Sequence, residues 1–324
     1  MGSIKMGKTM KLIAHEDIVN ANVSPLECYR WVEDTLARKS EVILPPKTAL
    51  HLTDELYYNV MPSVFFDDGF AGVKVIQRHP KALPALSSQI MLHDLNTGEL
   101  KAVMDGSWIT AMRTGAVAAH AIKHLAVDDF STIGIMGLGN TGRAAMSVLL
   151  SLYPERELSI KVLRYKNQHD LFISKYADEY PAVKFSVVDT PEEIVEDSDV
   201  VISAITIAHE QIVRESLFKS GCLVVPIHLR GFMECDVHFD KVYCDDYAHV
   251  QGFKHFNDFK YLAEMAEVQT GKKLGRQSSS ERIISYNVGL SIHDIYYAQQ
   301  IYDILSGAIP DSPRLTPPAN KYYI

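Results

Sequence analysis

Gly137-Leu138-Gly139-Asn140-Thr141-Gly142 is the stretch that decides the fold of this chain. The run before it, residues 131–136, is typical of a short buried strand, and residues 143–152 after it are apolar and compatible with a helix. In such a unit the first glycine permits a tight turn, the second leaves room for a pyrophosphate, and the third lets helix pack on strand. The free N–H groups of the helix N-terminus favour phosphate. The pattern predicts a dinucleotide site; the alternative is a strand–helix turn that binds nothing.

The residues that follow the glycine motif predict a parallel sheet. Between residues 131 and 250, apolar β-branched runs alternate with helical segments, which is the pattern of successive βαβ units. The runs after the motif are residues 159–164, 184–188, 200–205 and 223–227. We therefore expect a Rossmann-type domain over residues 116–290.

The residues before the motif have a different pattern. Ser24-Pro25 with Glu27 predicts a capped helix start, and a long helix is expected over residues 109–125. Between them lie short β-like runs separated by turn residues, at 60–66, 71–77, 89–94 and 100–104. We expect an α/β chain in which residues 1–115 with 291–324 form a mixed, mostly antiparallel β domain for substrate binding and dimerisation.

The composition excludes several classes of protein. Lys plus Arg number 32 and Asp plus Glu number 40, and the resulting net charge of −8 argues against nucleic-acid or membrane-surface binding. No apolar run is long enough for a membrane span, and the first residues lack the apolar core of a signal peptide. The four cysteines form no C-x-x-C pair, and the scattered histidines predict no metal site. We expect a cytoplasmic protein.

One run resembles a known family. Residues 104–116, Met-Asp-Gly-Ser-Trp-Ile-Thr-Ala-Met-Arg-Thr-Gly-Ala, resemble a segment of the ornithine cyclodeaminase/mu-crystallin family, and the glycine motif follows at the family's distance. Shorter runs that also resemble the family are Pro45-Pro46-Lys47, Met61-Pro62, Gly72-Val73-Lys74, residues 203–206 and Glu234-Cys235-Asp236. The resemblance spans roughly residues 12–306, and its two longest motifs are specific only in combination.

This resemblance implies a homodimeric oxidoreductase or cyclodeaminase that uses NAD or NADP and acts on a small amino or imino acid. The shared step is hydride transfer at the α-carbon, and ornithine cyclodeaminases add loss of ammonia as deaminating lyases. Alanine dehydrogenases and ketimine reductases are further members. The alternative is a mu-crystallin-like protein that binds NADPH and a ligand without turnover, or an accessory subunit.

The resemblance also assigns three cations to the substrate carboxylate: Lys47, Lys74 and Arg113. Arg113 suits this task because a guanidinium group binds a carboxylate through two parallel hydrogen bonds. Lys47 stands where the family has an arginine; it keeps the positive charge but cannot make that bidentate contact. Lys74 is in addition a proton-transfer candidate, since burial beside Arg113 would lower its pKa. The alternatives are a surface arginine at a helix start and a solvent-facing lysine in a strand.

His228 is the largest departure from the family pattern. It stands where ornithine cyclodeaminases carry an aspartate that handles the substrate's amino groups. A histidine would not attract a second ammonium in that way, but it suits a catalytic proton relay near neutral pH. A register slip, or a histidine that merely ends a strand, is the alternative. The departure makes ornithine a less favoured substrate.

The choice of cofactor depends on the end of the second Rossmann strand. Arg164 and Lys166 stand where an acidic residue would bind the ribose 2′-OH of NAD, so the sequence favours the 2′-phosphate of NADP over NAD. Solvated strand-end cations are the alternative. The predicted cofactor-binding residues are Thr114, Gly137, Gly139, Asn140, Thr141, Gly142, Arg164, Lys166, Ser203, Ala204 and Thr206.

Overall fold

A computed structural model describes residues 9–53, 55–206 and 208–313. The strands are β1 (Thr9–Ile13), β2 (Thr48–His51), β3 (Tyr57–Phe65), β4 (Phe70–Arg78), β5 (Leu86–Asp94), β6 (Leu100–Asp105), β7 (Thr132–Met136), β8 (Leu158–Leu163), β9 (Val183–Val188), β10 (Val200–Ser203), β11 (Leu223–Pro226), β12 (Lys241–Cys244), β13 (Leu262–Glu264), β14 (Ile283–Tyr286) and β15 (Asp311–Pro313). The α-helices are α1 (His15–Asn20), α2 (Pro25–Ala37), α3 (Ser107–Leu125), α4 (Asn140–Leu152), α5 (Gln168–Tyr176), α6 (Pro191–Val195), α7 (Tyr247–Val250), α8 (Met265–Gln269) and α9 (Ser291–Leu305). None of the helices in the described ranges is long and apolar enough to cross a membrane.

The chain divides into two compact units. Within the described residues, unit 1 comprises residues 9–23, 38–110 and 291–313, and unit 2 comprises residues 24–37 and 111–290. The sequence placed residues 24–37 in the substrate domain, but they form α2, which packs against α4 and α8 of unit 2. At the start of α2, the hydroxyl of Ser24 accepts a hydrogen bond from the N–H of Glu27, as the capping pattern predicts.

Unit 1 is built on a mixed sheet. Its strand order is β15-β1-β6-β5-β4-β3-β2, in which β1 runs parallel to β6 and the other neighbours are antiparallel. The turn between β5 and β6 contains Gly98 at a φ of +74°, a conformation that favours glycine. The carboxylate of Asp94 accepts the N–H groups of Asn96 and Thr97 in the same turn. The predicted mostly antiparallel domain is confirmed.

Helix α9 covers one face of this sheet. Side chains alternate along β4, so that Phe70, Gly72, Lys74 and Ile76 are buried on the side of α9. Gly72 permits a close approach, because a Cβ at this position would lie 2.9 Å from Cδ1 of Ile295.

The other face of the sheet carries apolar side chains that remain accessible. Leu12 on β1, Leu50 on β2, Tyr58 on β3 and Met91 on β5 are 39–51 % exposed. The register places them on one side. Leu12 and Met91 both pair with Val103, and Leu50 pairs with Tyr58. Met91 also pairs with Val73 and Tyr58 with Gln77, and these two residues lie on the same face of β4. We call the surface formed by these four side chains the uncovered face.

Unit 2 contains a parallel sheet with the order β13-β12-β14-β11-β10-β7-β8-β9. Its inner strands β10, β11, β12 and β14 are buried at every residue, as expected for a sheet covered on both sides. The chain runs from β7 to β8 and β9 on one side, whereas β10 lies on the other side of β7. Ligands of such sheets bind at this switch point, beyond the carboxyl ends of the strands. The predicted Rossmann-type sheet is confirmed.

Candidate functional site

The glycine turn lies between β7 and α4, at the switch point. Gly137 adopts a φ of +88°, and a Cβ there would overlap the backbone of Ala204. A Cβ at Gly142 would overlap the carbonyl oxygen of Gly137. A Cβ at Gly139, in contrast, would have no atom within 4 Å. The first and third glycines therefore serve packing, and the second borders open space of the kind a pyrophosphate needs.

The first turn of α4 is suited to an anion. Gly139 is the N-cap residue and has no side chain with which to satisfy the first N–H groups of the helix. The first turn contains no acidic residue that would repel phosphate. The backbone from Gly139 through Asn140 and Thr141 thus fits the pyrophosphate of a dinucleotide, through N–H groups and the helix dipole.

Beyond β8, Arg164 is held by two neighbours. Its Nε lies 2.6 Å from Oδ1 of Asp189, and its Nη1 lies 3.3 Å from Nε2 of His169. Lys166 has a φ of +48°, and its ammonium lies over the ring of Tyr165. The sequence did not identify Asp189, which follows β9 directly. Arg164 and Lys166 lie at the position where the ribose of a dinucleotide is recognised in this fold.

The carboxyl end of β10 meets His228, two residues beyond β11. Ser203 Oγ and His228 Nε2 are 2.7 Å apart, and the imidazole stacks near Phe232. Burial lowers the pKa of His228 to about 4, although a backbone hydrogen bond with Arg230 acts in the opposite direction. The ring is therefore neutral near pH 7, because its surroundings penalise the charged form, and its role as a proton relay stays a prediction.

The remaining predicted cofactor residues lie on two elements of unit 2. Ala204 and Thr206 follow β10, and the N–H of Ala204 donates to the carbonyl of Met136 at the end of β7. Thr114 is buried in α3, next to Gly115. A Cβ at Gly115 would overlap the backbone of Ala144, so this segment of α3 packs directly on α4.

Arg113 is buried in α3 and lies against a glycine that sequence reasoning missed. Gly289, three residues beyond β14, has a φ of +96°, and a Cβ there would overlap Nη1 of Arg113. The carboxylate of Asp245 accepts a hydrogen bond from the N–H of Gly289 and lies 2.9 Å from Nδ1 of His249. Asp245 directly follows β12 and Gly289 follows β14, and these two strands are neighbours in the sheet although they are about 40 residues apart in sequence. A single sequence does not show this proximity.

Lys74 has a partner that the sequence also did not indicate. Its Nζ lies 2.7 Å from Oδ1 of Asp294 in α9, and both side chains are completely buried. Lys47 directly precedes β2, whose first residue, Thr48, pairs with Val60. Lys74 on β4 pairs with Met61 of β3, so one strand separates β2 from the strand that carries Lys74.

The predicted site residues divide between the units. Lys47 and Lys74 belong to unit 1, whereas Arg113, His228 and the predicted cofactor-binding residues belong to unit 2. The joint role of the three cations stays a prediction. Over the part of the chain that the structure describes, no group of three or more His, Cys, Asp or Glu side chains is placed to hold a metal ion.

Comparisons with known proteins agree on one family. Residues 8–308 match the sequence model of the ornithine cyclodeaminase/mu-crystallin family. A nodulation efficiency protein of Rhizobium meliloti is 26% identical over 91% of this chain and 95% of its own length. A Delta(1)-pyrroline-2-carboxylate reductase of Bacillus thuringiensis subsp. konkukian is 26% identical over 75% of this chain and 80% of its own.

Solved structures share the fold. That of Thermococcus litoralis Delta(1)-pyrroline-2-carboxylate reductase, in complex with NADH and L-proline, has a TM-score of 0.82 and 24% identity and covers 92% of this chain and 98% of its own. An archaeal alanine dehydrogenase dimer with bound NAD has a TM-score of 0.82 and 22% identity and covers 95% of this chain and 100% of its own.

Proposed function

The chain belongs to the ornithine cyclodeaminase/mu-crystallin family and is an NAD(P)-dependent enzyme that acts on amino or imino acids. On that premise, we propose that its substrate is an α-imino carboxylate without a second amino group. Reduction of such an imine by NADPH gives an α-amino acid. A Delta(1)-pyrroline-2-carboxylate reductase among its relatives acts, by its name, on a compound of this class.

His228 carries this proposal. A substrate with a second ammonium group needs an anion in its site, because a buried charge is stable only when paired. The pKa of His228 is about 4, so the ring is uncharged at neutral pH, and Ser203 hydrogen-bonds to it. The Ser203–His228 pair offers hydrogen bonds to a neutral nitrogen or oxygen but no countercharge for an ammonium.

The other predicted residues have separate tasks in this proposal. Lys47, Lys74 and Arg113 bind the carboxylate, with Arg113 supplying the bidentate contact. Lys74 and His228 remain the candidates for proton transfer to the substrate nitrogen, Lys74 as an ammonium and His228 as a neutral hydrogen-bonding group. The bound nicotinamide supplies the hydride for the α-carbon.

The proposed cofactor is NADP rather than NAD. Arg164 donates a hydrogen bond from Nε to Asp189, next to the proposed position of the ribose. Lys166 adds a second positive charge two residues later. The residues directly after β8, Arg164-Tyr165-Lys166, include two cations and no acid, which supports recognition of a 2′-phosphate.

We further propose a homodimer that forms through the uncovered face. Apolar side chains from four strands of unit 1 are exposed there, and contiguous apolar surface on a folded protein marks an interaction site. The four cysteines are free and buried, which supports a cytoplasmic location. The proposed binding partners are a small-molecule substrate and a second copy of the chain, not a nucleic acid or a membrane.

Absorbance at 340 nm tests the proposed reaction. Keto acids mixed with ammonia or amines, together with preformed cyclic imino acids, are offered with NADPH and with NADH, and amino acids with NADP+ and NAD+. Oxidation of NADPH by an α-imino carboxylate is the expected result. Turnover of ornithine or lysine regenerates the cofactor, leaves the absorbance unchanged and is therefore read from the release of ammonia; such release would contradict the substrate proposal. Binding of NADPH without any turnover would favour the ligand-binding alternative.

A further inference from the structure

The ion pair between Lys74 and Asp294 is an unusual element of the unit 1 core. Both side chains have no exposed area, and Nζ and Oδ1 are 2.7 Å apart. Removing two charges from water costs free energy that their attraction seldom recovers, and apolar replacements of such pairs are often at least as stable. Stability of the sheet is therefore a weak explanation for the pair, which directs attention to a role for the two charges.

The fold brings the carboxylate to the lysine through specific packing. Gly72, two residues before Lys74 on the same face of β4, lets Ile295 of α9 approach the strand. The hydroxyl of Ser291 donates to the carbonyl of Pro62 at 2.7 Å and fastens the first residue of α9 to β3. Asp294 follows in the first turn of this helix, where the helix dipole favours an ionised carboxylate.

The strands beside Lys74 are apolar at its position. Its register partners are Met61 on β3 and Ile90 on β5. Four residues along the same faces, the strands carry Tyr57 on β3, Arg78 on β4 and Asp94 on β5; α9 contributes His293, Tyr296 and Tyr297, and Lys47 precedes β2. Asp294 is the acid that the structure pairs directly with the ammonium of Lys74.

We propose that Asp294 is a positioning residue for Lys74: it keeps the buried amine charged and fixes Nζ at one point for the substrate. This inference rests on the proposed role of Lys74 in substrate binding. A buried lysine without a counterion tends to lose its proton, and a long flexible side chain without a partner samples many rotamers. The carboxylate prevents both, so that the ammonium enters the reaction already oriented.

NMR of the lysine side chains tests the pair without any substrate, because it reads the protonation of a buried amine without a reagent having to reach it. The protein is labelled with ¹³C,¹⁵N-lysine, and the Cε and Nζ shifts of Lys74 are followed between pH 6 and 11, with Lys74→Met to assign the signal and exposed Lys184 as the internal standard. Asp294→Asn removes the charge and keeps the shape. Asp303→Asn, the same substitution at an exposed position of the same helix, is the control.

In Asp294→Asn, we expect the pH midpoint of the Lys74 titration to fall by about one unit or more relative to the wild type. In Asp303→Asn the midpoint of Lys74 should stay at the wild-type pH. An unchanged midpoint for Lys74 in Asp294→Asn would overturn the proposal, whatever the substrate proves to be. If Asp294→Asn does not fold, Asp294→Glu retains the charge, and the proposal then requires an unchanged midpoint; a fall of the midpoint would count against it.

Turnover then separates positioning from a structural role. With a substrate from the absorbance panel, Asp294→Glu is expected to lower kcat about 10-fold or more while the melting temperature and the KM for NADPH stay close to wild type, because the carboxylate and Nζ are displaced. Wild-type kcat in this variant would overturn the positioning role. If no substrate is turned over, the proposed function fails, whereas the NMR titration still decides whether Asp294 sets the charge of Lys74.

Discussion

Gly289 lies directly against the guanidinium of Arg113, so closely that a Cβ on Gly289 would overlap Nη1. The position of Gly289 is itself fixed by the buried carboxylate of Asp245, which accepts a hydrogen bond from the N–H of Gly289. The position of Arg113 is thus determined by a backbone segment 176 residues further along the chain.

Gly289→Ala is expected to displace Arg113. The added methyl group meets the guanidinium, and the φ of +96° is unfavourable for alanine, so the free energy of unfolding should fall by about 1–3 kcal/mol. If Arg113 binds the substrate carboxylate, KM should also rise about 10-fold or more. Gly271→Ala is the control for backbone strain alone, since Gly271 has a φ of +70° and no atom within 4 Å of its Cβ position. An equal change of KM in both variants would contradict the role of the contact.

Gly139→Val is expected to abolish dinucleotide binding in a folded protein. The new side chain meets no protein atom within 4 Å of its Cβ, so the melting temperature should stay near that of the wild type. The Kd of NADPH, measured by fluorescence, should rise about 10-fold or more, because the side chain occupies the space for the pyrophosphate. Gly142→Ala, which overlaps Gly137, should instead lower the melting temperature. Unaltered NADPH affinity in Gly139→Val would place the cofactor elsewhere.

Arg164→Asp is expected to shift cofactor preference from NADP to NAD. The change replaces a cation by an acid at the position where a carboxylate binds the ribose 2′-OH. The ratio of kcat/KM for NADPH and NADH should fall about 10-fold or more, which corresponds to about 1.4 kcal/mol. Lys184→Asp makes the same change of charge at the start of β9 and should leave the ratio as it is. The same ratio in Arg164→Asp and the wild type would refute recognition of the 2′-phosphate by Arg164.

His228 is expected to make the folded protein less stable in mild acid. Its pKa is about 4 in the folded protein and near 6.5 in the unfolded chain, so the unfolded chain takes up the proton first as the pH falls. The contribution grows from pH 6.5 towards pH 4 and reaches at most about 3 kcal/mol. Urea unfolding of His228→Gln at pH 7 and pH 4.5 should show a smaller loss than the wild type, whereas exposed His79→Gln should show the wild-type loss. Equal losses in all three proteins would mean that His228 is not the group responsible.

Met91→Asp is expected to disrupt the proposed dimer. The aspartate introduces a charge into the uncovered face, where it would be buried without a partner on association. Sedimentation velocity should show a dimer for the wild type and a monomer for the variant. Ile304→Asp places the same charge at an exposed position of α9, outside the uncovered face, and this variant should remain dimeric. A dimeric Met91→Asp would assign the interface to another surface.

Local patterns were enough to predict most of the architecture. The motif at residues 137–142 and the β-branched runs around it identify the parallel sheet, because strand, turn and helix there follow one another within a few residues. The sequence missed β12, β13 and β14, which have only three or four residues each and are strands by virtue of their neighbours. The amphipathic pattern of α2 likewise predicts a buried face but not the unit in which it is buried.

The site was less predictable because its key pairs are distant in sequence. Lys74 was identified by resemblance, but nothing near it in the chain indicates Asp294. Asp189 and Gly289 were missed for the same reason. For His228 the residue was identified, but its neutral form follows from burial, which a single sequence does not reveal. The four prolines of residues 308–324 predict a tail that lies as an arm over a neighbouring surface. Its residues 314–324 lie outside the described residues, and within the described part β15 pairs with β1.

The pairing of Lys74 with α9 also sets an order of events during protein synthesis. Lys74 leaves the ribosome 220 residues before Asp294, a delay of roughly 10–40 s at usual rates of elongation. Throughout this interval the nascent strands of unit 1 contain Lys74, but Asp294 has not yet been synthesised. The face of the sheet that α9 will cover therefore stays exposed to water. The residues of unit 2 emerge in the meantime. Completion of the substrate-binding sheet is therefore among the last steps of folding, and a chain truncated before α9 would expose the apolar strands that chaperones recognise.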